Sequence, residues 1–217
     1  MSYDDVLSRM SAAAERSGRN PSSVKLVAVS KAKSVADIEA VYELGHRDFG
    51  ENRAQEMAQK AARLPDDIRW HFVGGLQTNK ARLIRPITHL LHSMDRESLA
   101  GAWAKGGGLP PPVLLQVNTG HEPQKSGVEP GDASATLAQV RSLGLEVRGL
   151  MVIPPLTEDP EAQRPHFAML REIRSALAVE YPELIELSMG MTDDFEIAIE
   201  EGSSIIRVGR AIFGERT

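Results

Sequence analysis

Strand-like and helix-like stretches alternate along the whole chain, and that alternation constrains its fold more than any other feature. Short apolar runs at 25–30, 46–50, 69–73, 88–93, 113–118, 146–152, 185–188 and 204–208 read as buried strands, and the stretches between them carry helical spacing. Eight strands alternating with seven helices predict a closed parallel (β/α)8 barrel, an α/β fold of TIM type. A doubly wound open sheet is the structural alternative. Little chain remains after the last strand for an eighth outer helix. The segment before the first strand, with Val6, Leu7, Met10 and Ala14 at helical spacing, is expected to complete the outer ring. No break in composition divides residues 1–217, which read as a single domain. Gly106-Gly107-Gly108 and Pro110-Pro111-Pro112 fit a loop at the barrel floor.

Local punctuation agrees with this reading. Ser34 and Asp37 form a capping-box pattern ahead of Val35, Ile38 and Val41, and Gly45 follows as a stop. Asp95 is expected to cap the helix carrying Leu99 and Trp103, and Thr192 the one carrying Phe195, Ala198 and Ile199.

Charge and composition exclude several functions. A net charge of -5 and a pI near 5.7 argue against a nucleic-acid binder. No apolar run has the length of a membrane span, and the acidic start Ser2-Tyr3-Asp4-Asp5 does not resemble a secretory signal. Without cysteine there is no disulfide framework, thiol nucleophile or thiolate metal site. A cytoplasmic protein is expected, and a monomer, because a closed barrel leaves no strand edge to pair.

Active sites of such barrels lie at the carboxyl ends of the strands. The connections at 119–131 and 154–165 leave such ends and are long enough to be functional. The residues just past the strands are Ser30-Lys31, Glu51-Asn52, Gly74-Gly75, Met94-Asp95, Asn118, Met151, Ser188-Met189-Gly190 and Val208-Gly209-Arg210. On position alone Lys31 is a strand-end lysine whose stem covers apolar surface. In this company it reads as an amine aimed into a cavity, where loss of water lowers its pKa and leaves it nucleophilic toward aldehydes. Taken singly, the glycines after strands seven and eight are turn residues. Together they occupy the usual phosphate position, where backbone N–H groups can face an anion.

Arg207 shares a strand face with Ile205 and Gly209, so its guanidinium needs either a buried carboxylate or a ligand. His89 and His92 are expected on opposite faces of their strand, and no carboxylate–histidine cluster has metal-site spacing, so no metal centre is expected. His71 either lines the barrel or is a satisfied core histidine. There is no P-loop and no GxGxxG.

The motifs Val29-Ser30-Lys31-Ala32-Lys33, Phe49-Gly50-Glu51-Asn52-Arg53-Ala54-Gln55-Glu56, His71-Phe72-Val73-Gly74, Leu76-Gln77-Thr78-Asn79-Lys80, Leu187-Ser188-Met189-Gly190-Met191 and Arg207-Val208-Gly209-Arg210-Ala211-Ile212-Phe213-Gly214 closely resemble those of the pyridoxal phosphate homeostasis protein family. The resemblance implies the barrel of alanine racemase, known as fold type III among pyridoxal phosphate (PLP) proteins. It implies Lys31 as the Schiff-base lysine and Arg207 as partner of the pyridine nitrogen. Ser188, the backbone around Met189, Gly209 and Arg210 would form the phosphate cradle, and Asn52 would contact the ring or its hydroxyl. His71, Asn118 and Met151 match positions that line the pocket. Gly75 replaces a larger residue of many relatives and is expected to open one wall, and Arg210 stands in place of a hydroxyl residue.

An arginine only donates, so it favours an unprotonated pyridine and weakens the ring as an electron sink. Racemases of this fold add a β-rich domain and a catalytic tyrosine. The tyrosines here are Tyr3, Tyr42 and Tyr181, none at a predicted strand end. The expectation is a protein that holds PLP on Lys31 and buffers or delivers it, with apo PLP-dependent enzymes as recipients and without robust turnover. A small amino-acid racemase is the alternative, and a phosphate-binding barrel without PLP a third reading. Lys125 is either a solvated loop lysine or a second, transient PLP site.

Overall fold

Past its first residue the run Lys25-Leu26-Val27-Ala28-Val29 has no polar side chain on either face, the pattern of a strand covered on both sides. In the computed structural model, which describes residues 2–122 and 126–214, it is β1 (Lys25–Val29). The others are β2 (Asp48–Glu51), β3 (Arg69–Phe72), β4 (Thr88–Met94), β5 (Val113–Gln116), β6 (Val147–Met151), β7 (Glu186–Ser188) and β8 (Ile205–Val208). They close in sequence order into a parallel barrel, β8 pairing with β1. Lys125 lies outside the described residues.

The helices are α1 (Tyr3–Arg16), α2 (Val35–Glu43), α3 (Ala54–Ala61), α4 (Ala81–Ile84), α5 (Glu97–Ala104), α6 (Ala133–Ser142), α7 (Arg164–Leu177), α8 (Phe195–Glu200) and α9 (Arg210–Phe213). The outer ring is completed as expected. α1 packs on α8 and α9 and sets Val6, Met10, Ala13 and Ala14 against Leu26, Ile206 and Val208. Ser34 and Asp37 form their capping box, and Gly45 ends that helix at φ +91°. At the floor, Arg85 donates to the carbonyls of Trp103, Gly107 and Gly108 at 2.8, 2.8 and 2.9 Å, which ties down the glycine-rich loop.

Two expected caps are absent. α5 starts at Glu97 behind Arg96, and the Asp95 carboxylate instead accepts from the Arg96 guanidinium at 2.5 Å. α8 starts behind Asp194, whose carboxylate accepts the Met191 N–H at 2.5 Å, and this turn leaves Thr192 free of the helix.

Inside the barrel, Val27, Val29, Val73, Leu90, Leu114, Met151 and Ile205 form an apolar cluster separate from the larger layer between strands and helices. His89 and His92 do not face opposite sides. The β3–β4 register shifts so that Trp70 pairs with Thr88 but His71 with Leu90. Two residues then oppose one, and the bulge turns His89 inward beside the alternation that already carries His92 there. Both rings lie against His71, at centroid distances of 5.4 and 5.1 Å.

Candidate functional site

Alternation along β1 puts Val27 and Val29 inside the barrel, Ser30 outside, and Lys31 inside again, just above the last apolar layer. The backbone there is held from behind. Ser30 donates its hydroxyl to Glu51 Oε1 at 2.7 Å, and its carbonyl accepts from Lys60 Nζ at 2.8 Å. Ala32 takes the left-handed conformation at φ 58°, costly for a residue with a Cβ, and its N–H is held by Glu56 Oε1 at 2.7 Å. Lys60 binds both Glu51 and Glu56 at 2.7 Å, and burial pushes the Glu51 carboxyl up against the hydrogen bonds from Lys60 and Ser30.

Above the strand ends lies a cavity of about 640 Å³, within the range of small-molecule sites. Lys31, Asn52, Thr192, Arg207, Gly209 and Arg210 line it, and Ile153 and Leu156 from the loop after β6 add an apolar wall. Gly74 and Gly209 let neighbouring strand ends close up, since a Cβ would stand 2.6 Å from the Asn52 carbonyl or 2.9 Å from that of Val29. Gly75 borders an adjoining cleft of about 520 Å³, which shares Asn52 with the main cavity, so the wall it opens belongs to that cleft.

Arg207 has neutral partners, the Ser188 hydroxyl at 2.6 Å and the Val152 carbonyl at 2.9 Å. Burial lowers its guanidinium to about 10, partly offset by Asp194, and it stays cationic at neutral pH. The choice between a buried carboxylate and a ligand therefore falls toward the cavity. Arg210 reaches across the mouth to both oxygens of Asp193 at 2.6 Å.

Lys31, Asn52, Arg207, Gly209 and Arg210 are thus brought together, while five expected residues stand elsewhere. Ser188 is fully buried beneath the cavity, its hydroxyl engaged by Arg207 and by His92 at 2.8 Å. The Met189 side chain points into the outer core, and its N–H is spent on Ile205 in the β7–β8 ladder at 3.1 Å. His71 is fully buried near the floor on Asp48 and His92. Met151 belongs to the apolar layer below. Asn118 organises its own loop, donating to the Glu122 carbonyl at 3.0 Å and to Glu129 at 3.2 Å. Thr192 is the lining hydroxyl that sequence reasoning assigned to a cap. Its position just after the Met189-Gly190-Met191 turn was the available signal.

The model of the alanine racemase N-terminal domain family matches residues 3–217. The pyridoxal phosphate homeostasis protein of Aquifex aeolicus is 44% identical over 97% of this chain and 95% of its own, and that of Vibrio cholerae 42% over 98% and 94%. PipY of Synechococcus elongatus, solved with PLP bound, is 39% identical and superposes with a TM-score of 0.81 over 96% of this chain and 100% of that one. Alanine racemase of Corynebacterium glutamicum, at 18% identity and a TM-score of 0.70 over 97% of this chain and 61% of that one, shares the fold. Among the described residues no helix is long and apolar enough to cross a membrane. With both its motifs and its near full-length matches in agreement, the chain belongs to the pyridoxal phosphate homeostasis protein family.

Proposed function

We propose that this chain binds pyridoxal 5'-phosphate, held covalently by Lys31, and serves intracellular PLP homeostasis by buffering or delivering the cofactor without robust turnover. The observation that carries the reading is the donor set of one cavity: the amines of Lys31 and Lys33, an amide, a hydroxyl and two guanidiniums around strand ends one, two, seven and eight. Those groups suit an aldehyde, a ring hydroxyl, a pyridine nitrogen and a phosphate. PipY, which shares 39% of its sequence, was solved with PLP bound.

When bound, PLP supplies an electrophilic aldehyde and a pyridine ring whose electron-withdrawing power depends on protonation of its nitrogen. Lys31 would hold the aldehyde, and Arg207 the ring nitrogen. Thr192, with the backbone of Gly209 and Arg210, would hold the phosphate in place of Ser188 and Met189, and Asn52 would meet the ring hydroxyl. A guanidinium that only donates keeps the ring nitrogen unprotonated, which supports retention over carbanion chemistry. Apo PLP-dependent enzymes are the recipients this role calls for.

Purified protein should take up PLP with a shift in visible absorbance, and borohydride should then fix the cofactor to the peptide containing Lys31. Lys31→Ala should lose the covalent label and retain weaker, phosphate-anchored binding. Protein that takes up no added PLP would sink the proposal. Solvent deuterium exchange at Cα across a panel of amino acids would instead favour a racemase.

A further inference from the structure

A chain of hydrogen bonds crosses the barrel interior from the floor to the cavity. Asp48 Oδ1 lies 3.0 Å from His71 Nε2, and His71 Nδ1 lies 2.9 Å from His92 Nε2. His92 Nδ1 lies 2.8 Å from Ser188 Oγ, which lies 2.6 Å from Arg207 Nη1. The links come from β2, β3, β4, β7 and β8, and His71, His92 and Ser188 have no exposed surface.

The two ends set the direction of every bond. A carboxylate only accepts, and a guanidinium only donates. His71 therefore donates from Nε2 to Asp48, and Nδ1 of its neutral ring accepts from His92 Nε2. His92 Nδ1 accepts the Ser188 proton, and Ser188 Oγ accepts from Arg207. Both rings must be neutral for this to hold. Burial lowers the pKa of each, opposed by Asp48 at His71 and reinforced by His71 and Arg207 at His92. At the floor, burial pushes the Asp48 carboxyl up, but hydrogen bonds from Arg69 and His71 outweigh it and keep it ionised.

We infer that Asp48, His71, His92 and Ser188 are positioning residues for Arg207: through this one-way chain the barrel floor fixes the guanidinium's orientation and partly compensates its charge toward a pyridine nitrogen in the cavity. The inference rests on the cofactor reading above. Among the described residues Arg207 has no ion-pair partner; the Asp194 carboxylate bears on its charge directly, and Asp48 adds to this only through the polarised links of the chain. The floor also brings donor atoms of Asp48, His71 and His89 within 4.8 Å of one another, corrected from the expectation that no such cluster forms. That carboxylate is already engaged by Arg69 and His71, and Lys25 and Arg69 add positive charge beside the rings, which opposes a cation there.

Asp48→Asn and Ser188→Ala break the chain at opposite ends, and neither residue lines the cavity. Correlation spectra of the histidine ring nitrogens in cofactor-free protein at neutral pH should show His71 and His92 both neutral and protonated at Nε2. Asp48→Asn should move the ring signals of both, although only His71 touches position 48. With PLP bound, either variant should lower the midpoint of the visible-absorbance pH titration by roughly one unit, because a less compensated guanidinium opposes protonation of the ligand more strongly. Ser188→Thr should restore it. A cationic ring, a proton on His92 Nδ1, or folded variants with an unchanged or raised midpoint would overturn the inference. Failure of the wild type to take up PLP would remove the cofactor reading, while the cofactor-free ring spectra would still decide whether the chain exists.

Discussion

Replacing His89 with glutamine should flatten the acid limb of the stability curve. His89 lies in the bulge of β4 with its ring against His71. Burial, then the neighbouring His71, pushes its imidazole down from the ordinary 6.5 to about 4. Below the unfolded value the denatured chain takes up a proton that the native ring refuses. The native state is therefore undiminished above about pH 6.5 and loses stability as pH falls from there toward 4. At about 1.36 kcal/mol per unit, the loss between about pH 7.5 and 4.5 comes to about 2.5 kcal/mol. The ring is partly exposed, and solvent screening reduces this to about 1.5 kcal/mol.

Other groups titrate over the same range. His71 and His92 are lowered by burial and act in the same sense, whereas Glu51 and Asp194 are raised by burial and act in the opposite one. All four remain in the variant, so the difference between the two proteins reports His89 together with its coupling to His71 and His92. Urea titrations of cofactor-free protein at half-unit steps from about pH 7.5 to 4.5 measure it. Across that range the stability gap should move by about 1.5 kcal/mol in favour of His89→Gln. A gap constant to within a few tenths would mean that His89 titrates alike in both states, and would refute the reasoning.

Lys60→Met should cost about 3 kcal/mol in urea denaturation, because it strands the fully buried Glu51 carboxylate, and the added change Glu51→Gln should recover much of it. A Cβ at Gly149 would run into the Glu186 backbone across the β6–β7 pair, so Gly149→Ala should cost about 3 kcal/mol, and a melt within a degree or two of wild type would show that the strands yield. Thr192→Val removes the lining hydroxyl at constant size and should weaken PLP binding about tenfold by absorbance titration, an unchanged affinity placing the phosphate elsewhere.

The barrel was legible because its signals are local. The strand runs, the Ser34–Asp37 box and the amphipathic Val6, Met10, Ala14 stripe each lie within a few neighbouring residues, and the structure keeps them. The strand-end residues Lys31, Asn52, Gly209 and Arg210 surround one cavity for the same reason. What escaped depends on pairing. Nothing near His89 announces a bulge, which is defined by the register of β4 against β3. Ser188 and Met189 are adjacent, yet one faces Arg207 inside and the other the helices outside. The partners of Ser188 are 96 and 19 positions away, beyond the reach of any spacing rule.

The two cavity residues that matter most are each held from behind by polar groups that do not line the cavity. Lys31 leaves a turn whose Ser30 and Ala32 are pinned by Glu51, Lys60 and Glu56, including one backbone position that an alanine would not adopt unaided. Arg207 rests on Ser188 and Val152 with three further residues in line behind it. Desolvating that many polar groups is costly unless nearly all are paired, and a half-paired network would be worse than an apolar core. The layer directly beneath the cavity could have been filled with valine and leucine, as Val27, Val29 and Leu114 already do in part. Placing hydrogen-bonded polar groups there instead orients the guanidinium, as the Glu51–Lys60 cluster behind β1 holds the turn that carries Lys31, so part of the ordering cost is met before any ligand arrives. A site built in this way suits a ligand recognised at several fixed points at once, as a rigid aromatic aldehyde with a phosphate would be.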